Sequence, residues 1–236
     1  MIAIIPARGG SKGLARKNVL PLMGRPMLAY TIAAARDAGV FERVVVSSDD
    51  AEILDVARQH GAEALPRPPE LAQDDSSSLD VVRHVMKQPD AFGVGWFGLL
   101  QPTSPLRNAE HVRRALAQLR AAGASACVSV VECEHHPFKA LIDDGAGELT
   151  PVREYADLVT PRQALPRAFM PNGAIYLRET AGFLASNSLM PPDTIWFSMS
   201  VEDSIDVDDQ RSFWLLEAIM RHRSGGAGPT PPSTER

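Results

Sequence analysis

The chain has 236 residues with 29 acidic and 24 basic side chains, a net charge of −5, and a composition (44% hydrophobic, 22% charged) that suits a globular protein with a real core. No apolar run nears the ~20 residues of a membrane span, and a net acidic chain is a poor candidate for wrapping nucleic acid. Cys127 and Cys133 are too few for a disulfide framework, and no charged leader precedes the opening MIAIIPAR, so a reduced, cytoplasmic protein without a signal peptide is expected.

Short apolar runs alternate with helix-period stretches. Residues 2–5 (IAII) read as a buried strand. Residues 26–38 carry Met27, Leu28, Ile32 and Ala35 at helical spacing, with Gly39 as the stop. The β-branched run 43–48 is a strand, and Asp49 or Asp50 caps a helix that ends near His60. A third strand precedes Arg67. Three serines then open a helix over 76–87, with Leu79, Val82, Val85 and Met86 on one face. Residues 97–101 form a strand, Asn108 caps a helix to about 122, and 124–131 form another strand. The segment 132–170 is rich in Pro, Gly and charge, and reads as an insertion, a hairpin arm. Strands at 173–177 and 194–199, a short helix at 179–186 and a closing helix at 210–222 follow, with Trp196, Phe213 and Trp214 expected in the core. The Gly/Pro/Ser-rich end, 223–236, is expected to be a disordered tail. This rhythm predicts an α/β, Rossmann-like, mostly parallel sheet with helices on both faces. Ligands of such sheets bind beyond the carboxyl ends of the strands. Residues 6–18, 66–78, 101–107 and 203–208 all fall there.

Charge is placed unevenly. Arg8, Lys12, Arg16, Lys17, Arg25 and Arg36 give the first 36 residues a charge of +6 with no acid, so the remainder carries −11. A basic, glycine-containing loop after the first strand (PARGGSKGLARKN, 6–18) suits a small polyanion such as a phosphate group. It is neither a Walker A loop nor a G-x-G-x-x-G fingerprint, which argues against a P-loop ATPase and a dehydrogenase. Near the other end, Asp206 and Asp208 are two apart in an extended-looking stretch, so their carboxylates share one face and Ile205 and Val207 the other. Two carboxylates beside bound phosphates suit Mg²⁺. Gln101, ending a strand before a proline-stiffened loop, has an amide that both donates and accepts, and Arg162 is a natural reader of a carboxylate. Cys127, Cys133, His135 and His136 miss the usual zinc spacing.

The string IIPARGGSKGLARKN resembles the nucleotide-binding loop of the acylneuraminate cytidylyltransferases. LLQPTSPLR (99–107), PRQALPRAFMPNGAIYL (161–177) and DSIDVD (203–208) resemble that family's later motifs, in the same order, over residues 2–222. The resemblance implies transfer of CMP from CTP to the anomeric hydroxyl of N-acetylneuraminate, with pyrophosphate released. It implies one nucleotidyltransferase domain, 1–222, carrying a dimerisation arm at about 132–170. Arg8, Lys17 and Asn18, with Lys12 next in line, would hold the triphosphate, and Arg67 and Ser78 the cytosine. Lys17, Arg8 and Asp208 would be catalytic, Asp206 and Asp208 the metal ligands. Gln101 would meet the sugar acid. Arg162 and Gln163 would reach the partner's site in a homodimer, and Asn172 would touch the sugar or the phosphate loop. Rival readings keep the chemistry but change the sugar to legionaminate, pseudaminate or an eight-carbon ulosonate. Others are a sugar-1-phosphate nucleotidyltransferase or a non-catalytic nucleotide-binding protein.

Overall fold

A computed structural model of the chain describes residues 1–10, 13–73, 76–91, 93–143, 145 and 147–225. Lys12 and the tail from 226 onward lie outside the described residues. Strand β1 (Ile2–Pro6) runs into the glycine loop and a 3-10 turn at Lys17–Val19. A small ribbon of β2 (Pro21–Leu22) and β3 (Arg25–Pro26) then leads into helix α1 (Met27–Ala38). Next come β4 (Arg43–Ser48), α2 (Ala51–Gln59), β5 (Glu63–Pro66), α3 (Ser78–Met86), β6 (Trp96–Leu99), α4 (Ala109–Ala122) and β7 (Ala126–Glu132). The chain continues through β8 (Leu141–Asp143), β9 (Leu149–Pro151) and the short α5 (Tyr155–Val159). It closes with β10 (Phe169–Glu179), α6 (Thr180–Ser186), β11 (Ile195–Met199) and α7 (Gln210–Arg223).

Seven strands form one sheet in the order β11-β7-β10-β6-β1-β4-β5. Only β10 runs against its neighbours; the other pairings are parallel. The unbroken apolar run of β1 reflects burial on both faces. Ala3 and Ile5 pack with Leu28, Ile32, Ile53, Val112 and Leu116 of α1, α2 and α4. Ile2 and Ile4 pack on the opposite face with Val82 and Val85 of α3 and Phe183 of α6. Each of the larger aliphatic and aromatic side chains among them, fully buried, contributes roughly 1.5–3 kcal/mol of transfer free energy. A third, smaller cluster joins Leu14, Leu22, Met27, Leu106, Val207, Phe213 and Leu216. It matters for function because it ties the first loop to the segment before α7.

The helix boundaries follow local chemistry. Asp50 caps α2 by accepting from the Ile53 amide at 3.1 Å, and Asn108 and His111 form a reciprocal capping box on α4. Gly39 and Gly123 end α1 and α4 in the left-handed conformation, at φ 67° and 60°.

Four features differ from the sequence reading. Strand β10 spans eleven residues rather than 173–177, because pairing with β7 continues through a bulge between Pro171 and Tyr176. The 132–170 segment holds a hairpin ribbon, β8 with β9, in line with the sequence reading, but also the unexpected helical turn α5, too short to show periodicity. Helix α7 runs one residue further, so Arg223 belongs to it and not to a tail. Trp196 and Trp214 are 52% and 62% exposed, and only Phe213 is buried. Trp196 lies on the edge strand β11, and Trp214 sits one position past Phe213, off the face that Phe213 and Leu216 present to the core.

Candidate active site

The first loop is held by its own Asn18 side chain and three acids. The Asn18 side-chain amide donates to the Arg8 carbonyl at 2.9 Å, and the Gly9 amide donates to Asp49 Oδ1 at 3.0 Å. Arg16 takes a left-handed backbone (φ 56°) and turns its guanidinium to Asp50 and Glu52 at the start of α2. That hydrogen-bonded pairing holds the Asp50 carboxyl below the usual range. The loop's cations therefore do not all face one way. Arg16 braces the loop, whereas Arg8 and Lys17 line a cleft of about 390 Å³ at the carboxyl ends of β1, β5 and β6.

That cleft gathers eight residues singled out from sequence: Arg8, Lys17, Asn18, Arg67, Ser78, Gln101, Asp206 and Asp208. Arg67 is only 7% exposed. Its Nη1 donates to the Leu71 carbonyl at 3.2 Å, while Nε and Nη2 are buried without hydrogen-bond partners. Burial pushes its pKa down, and the Asp49 carboxylate at 3.9 Å only partly offsets this. Buried donors left unmet cost about 1–3 kcal/mol each, so a ligand offering acceptors here recovers that energy. Ser77 caps α3, accepting from the Asp80 amide at 3.2 Å, and Ser76, Ser77 and Ser78 all line the cleft.

Gln101 lies against the β10 bulge. Gly173 has φ +74°, and a Cβ there would sit 2.3 Å from Gln101 Oε1, so the close approach requires glycine. Arg107, fully buried, holds the same turn from below. Its Nη2 donates to the Gln101 carbonyl (3.3 Å) and Thr31 Oγ1 (2.7 Å), and its Nε to the Ala174 carbonyl (3.2 Å). Burial pushes its pKa down to about 9.

The acidic pair sits at the mouth of the cleft. Residues 205–208 pair with no strand, yet the side chains alternate as expected, with Val207 buried and Asp206 and Asp208 facing out. The segment is fixed through its backbone. The Val207 amide donates to the Thr103 carbonyl at 2.9 Å, and the Asp208 and Asp209 amides to Ser212 Oγ at 3.1 Å each. Lys17 Nζ lies 3.0 Å from Asp208 Oδ1. Crowding by the cleft walls and the nearby Asp208 carboxylate push the Asp206 carboxyl above its ordinary range, against a hydrogen bond from Thr103. Two carboxylates pressed together beside an open cleft fit a divalent cation, which would relieve their repulsion and take its remaining oxygens from water and phosphate. No cluster of three or more metal-binding side chains exists among the described residues.

The family model for cytidylyltransferases matches residues 2–191. This chain belongs to the cytidylyltransferase family. It is 34% identical over 226 residues to the N-acylneuraminate cytidylyltransferase of Escherichia coli O18:K1:H7, covering 95% of this chain and 53% of that protein. It is also 34% identical to the CMP-N,N'-diacetyllegionaminic acid synthase of Legionella pneumophila, over 93% of this chain and 96% of that one. The chain thus spans about half the length of the neuraminate relative and nearly all of the legionaminate one. Among solved structures, a CMP:2-keto-3-deoxy-manno-octonic acid synthetase in complex with CTP superimposes with a TM-score of 0.70. At 18% identity, over 94% of this chain and 98% of that one, it shares the fold.

Three residues expected to meet substrate lie apart from the cleft of this family member. Arg162 and Gln163 line a separate hollow of about 330 Å³ with Cys133 and His136. The Arg162 guanidinium donates to the backbone carbonyls of Glu134 (2.8 Å) and Cys133 (2.7 Å). Asn172 is buried. Its Oδ1 accepts from Ser129 Oγ (2.6 Å), and its Nδ2 donates to Ser204 Oγ (2.8 Å), two residues before Asp206. Sequence reasoning missed Thr103, Arg107 and Gly173. Thr103 and Arg107 belong to the QPTSPLR run, but a buried arginine without a carboxylate partner has no sequence signature. No helix among the described residues is long and apolar enough to cross a membrane.

Proposed function

We propose that this chain transfers CMP from CTP to the anomeric hydroxyl of N-acetylneuraminate, giving CMP-sialic acid and pyrophosphate, as a cytoplasmic homodimer using Mg²⁺. One observation carries the reading: a single cleft holds Arg8 and Lys17, the Asp206–Asp208 pair, the unmet donors of Arg67, and Gln101. The sugar hydroxyl attacks the α-phosphorus, a P–O bond forms to the sugar, and the bond to pyrophosphate breaks in line. Arg8 and Lys17 neutralise the negative charge that develops, and Asn18 fixes the loop that carries them. Lys17 leaves Asp208 for a phosphate oxygen when nucleotide arrives. Lys12 belongs to the same loop and adds charge there. Arg67 and Ser78 meet acceptors of the cytosine, and Gln101 orients the sugar acid. Asp206 and Asp208 would hold Mg²⁺, which supplies charge neutralisation of the triphosphate and polarisation of the α-phosphoryl group.

Arg162 and Gln163 act at the subunit boundary in this reading and reach the partner's sugar site. Asn172, bonded to Ser204 two residues before Asp206, sets the turn beneath the acidic pair beside the sugar. Exposed apolar side chains on the arm (Leu141, Ile142, Leu149, Tyr155, Val159) and around β11 (Phe169, Met170, Trp196) supply the contact surface. A legionaminate-type acid is the second reading, favoured by the 34% identity to the Legionella synthase over 93% of this chain. Pyrophosphate release from CTP and Mg²⁺ with N-acetylneuraminate, N,N'-diacetyllegionaminate, pseudaminate and an eight-carbon ulosonate tests both. Release with a nine-carbon acid is expected. Silence with all four acids would leave a nucleotide-binding protein without this activity.

A further inference from the structure

The first loop and the acidic segment meet backbone to backbone. Gly13 approaches the chain at Asp208 so closely that a Cβ at residue 13 would lie 2.0 Å from the Asp208 carbonyl oxygen. Two other contacts join the same segments: Leu14 and Val207 share an apolar cluster, and Lys17 pairs with Asp208. Asp208 has little freedom to retreat. Its amide and that of Asp209 are held by Ser212 at the start of α7, and the Val207 amide is held by Thr103.

We propose that Gly13 is a positioning residue whose missing side chain sets the spacing between the cationic loop and the Asp206–Asp208 pair. Asp208 is clamped between Gly13 on one side and the α7 cap on the other. An added methyl group is therefore absorbed by the loop, which carries Lys17 away from the acids. A displacement of about 1 Å in such a site costs up to about 100-fold in rate. The inference rests on the reading of the cleft as a CTP–Mg²⁺ site.

The test is CTP binding by calorimetry with and without Mg²⁺, in the absence of sugar, so that turnover plays no part. Wild-type protein should gain affinity when Mg²⁺ is added. Gly13→Ala should lose about tenfold of that gain and change metal-free CTP binding less. Gly95→Ala, where the new methyl meets open space far from the cleft, should keep the full gain. If Gly13→Ala does not fold, Ser212→Ala decides, because it releases Asp208 from the opposite side and should also lose part of the gain. An undiminished gain in Gly13→Ala, or in Ser212→Ala where that variant decides, overturns the inference while leaving the CTP reading intact. Wild-type protein that binds no CTP overturns both.

Discussion

Asp208, proposed above as a catalytic residue, contributes little to fold stability. Its carboxylate is 75% exposed and its ion pair with Lys17 is of a kind worth at most about 1 kcal/mol. Asp208→Ala should therefore shift the melting temperature by no more than about 4 °C. It should nonetheless lower kcat by about 100-fold or more, since charge stabilisation at the reacting phosphate is lost. Parallel thermal melts and Mg²⁺-dependent pyrophosphate release check this, and near-normal turnover would reject the metal role. The residues visible from sequence were those whose chemistry is local: cations and glycines in one loop, two carboxylates at period two, an amide beside prolines. Arg107 and Gly173 were not visible, because their roles lie in contacts with residues some 70 positions away in the chain.

At the scale of elements, α2 is joined to the first loop through Asp50. This residue caps the helix by accepting from the Ile53 amide and also receives the Arg16 guanidinium. Its pKa is depressed in the folded protein, chiefly by Arg16. A carboxyl depressed on folding adds stability that is complete above its unfolded pKa of about 3.9 and is lost as pH falls through the folded value. Asp50→Asn keeps a capping oxygen but drops the charge. Its deficit in melting temperature should be largest near neutral pH and should shrink below about pH 4. A deficit that stayed constant from pH 7 to pH 3 would remove the ion pair from this account. The helices themselves were legible, since Asp50, Asn108, Gly39 and Gly123 mark their ends by chemistry that acts within one turn. The full reach of β10 was not, because its bulge and its pairing with β7 are set by a neighbour forty residues earlier.

For the whole molecule, the residues proposed to meet the sugar acid are separated within one chain. Gln101 faces the cleft, whereas Arg162 and Gln163 face a different hollow. If the arm completes the partner's site, mixing Arg162→Ala subunits with Lys17→Ala subunits should restore activity above either parent, because one of the two sites in a mixed dimer is then intact. Arg162→Ala alone should raise the KM for sugar acid more than that for CTP. Mixed dimers no more active than the parents would end the shared-site reading. The sequence alone determined the alternation of strands and helices, the cationic loop at one end and the acidic pair at the other. Hydrophobic period, capping and charge spacing are properties of neighbouring residues. Only the tertiary structure decided that these distant segments meet, that Arg16 turns away while Lys17 turns in, and that Gly13 touches Asp208. Such contacts arise when the sheet and the small cluster around Val207 close, and no stretch of chain encodes them by itself.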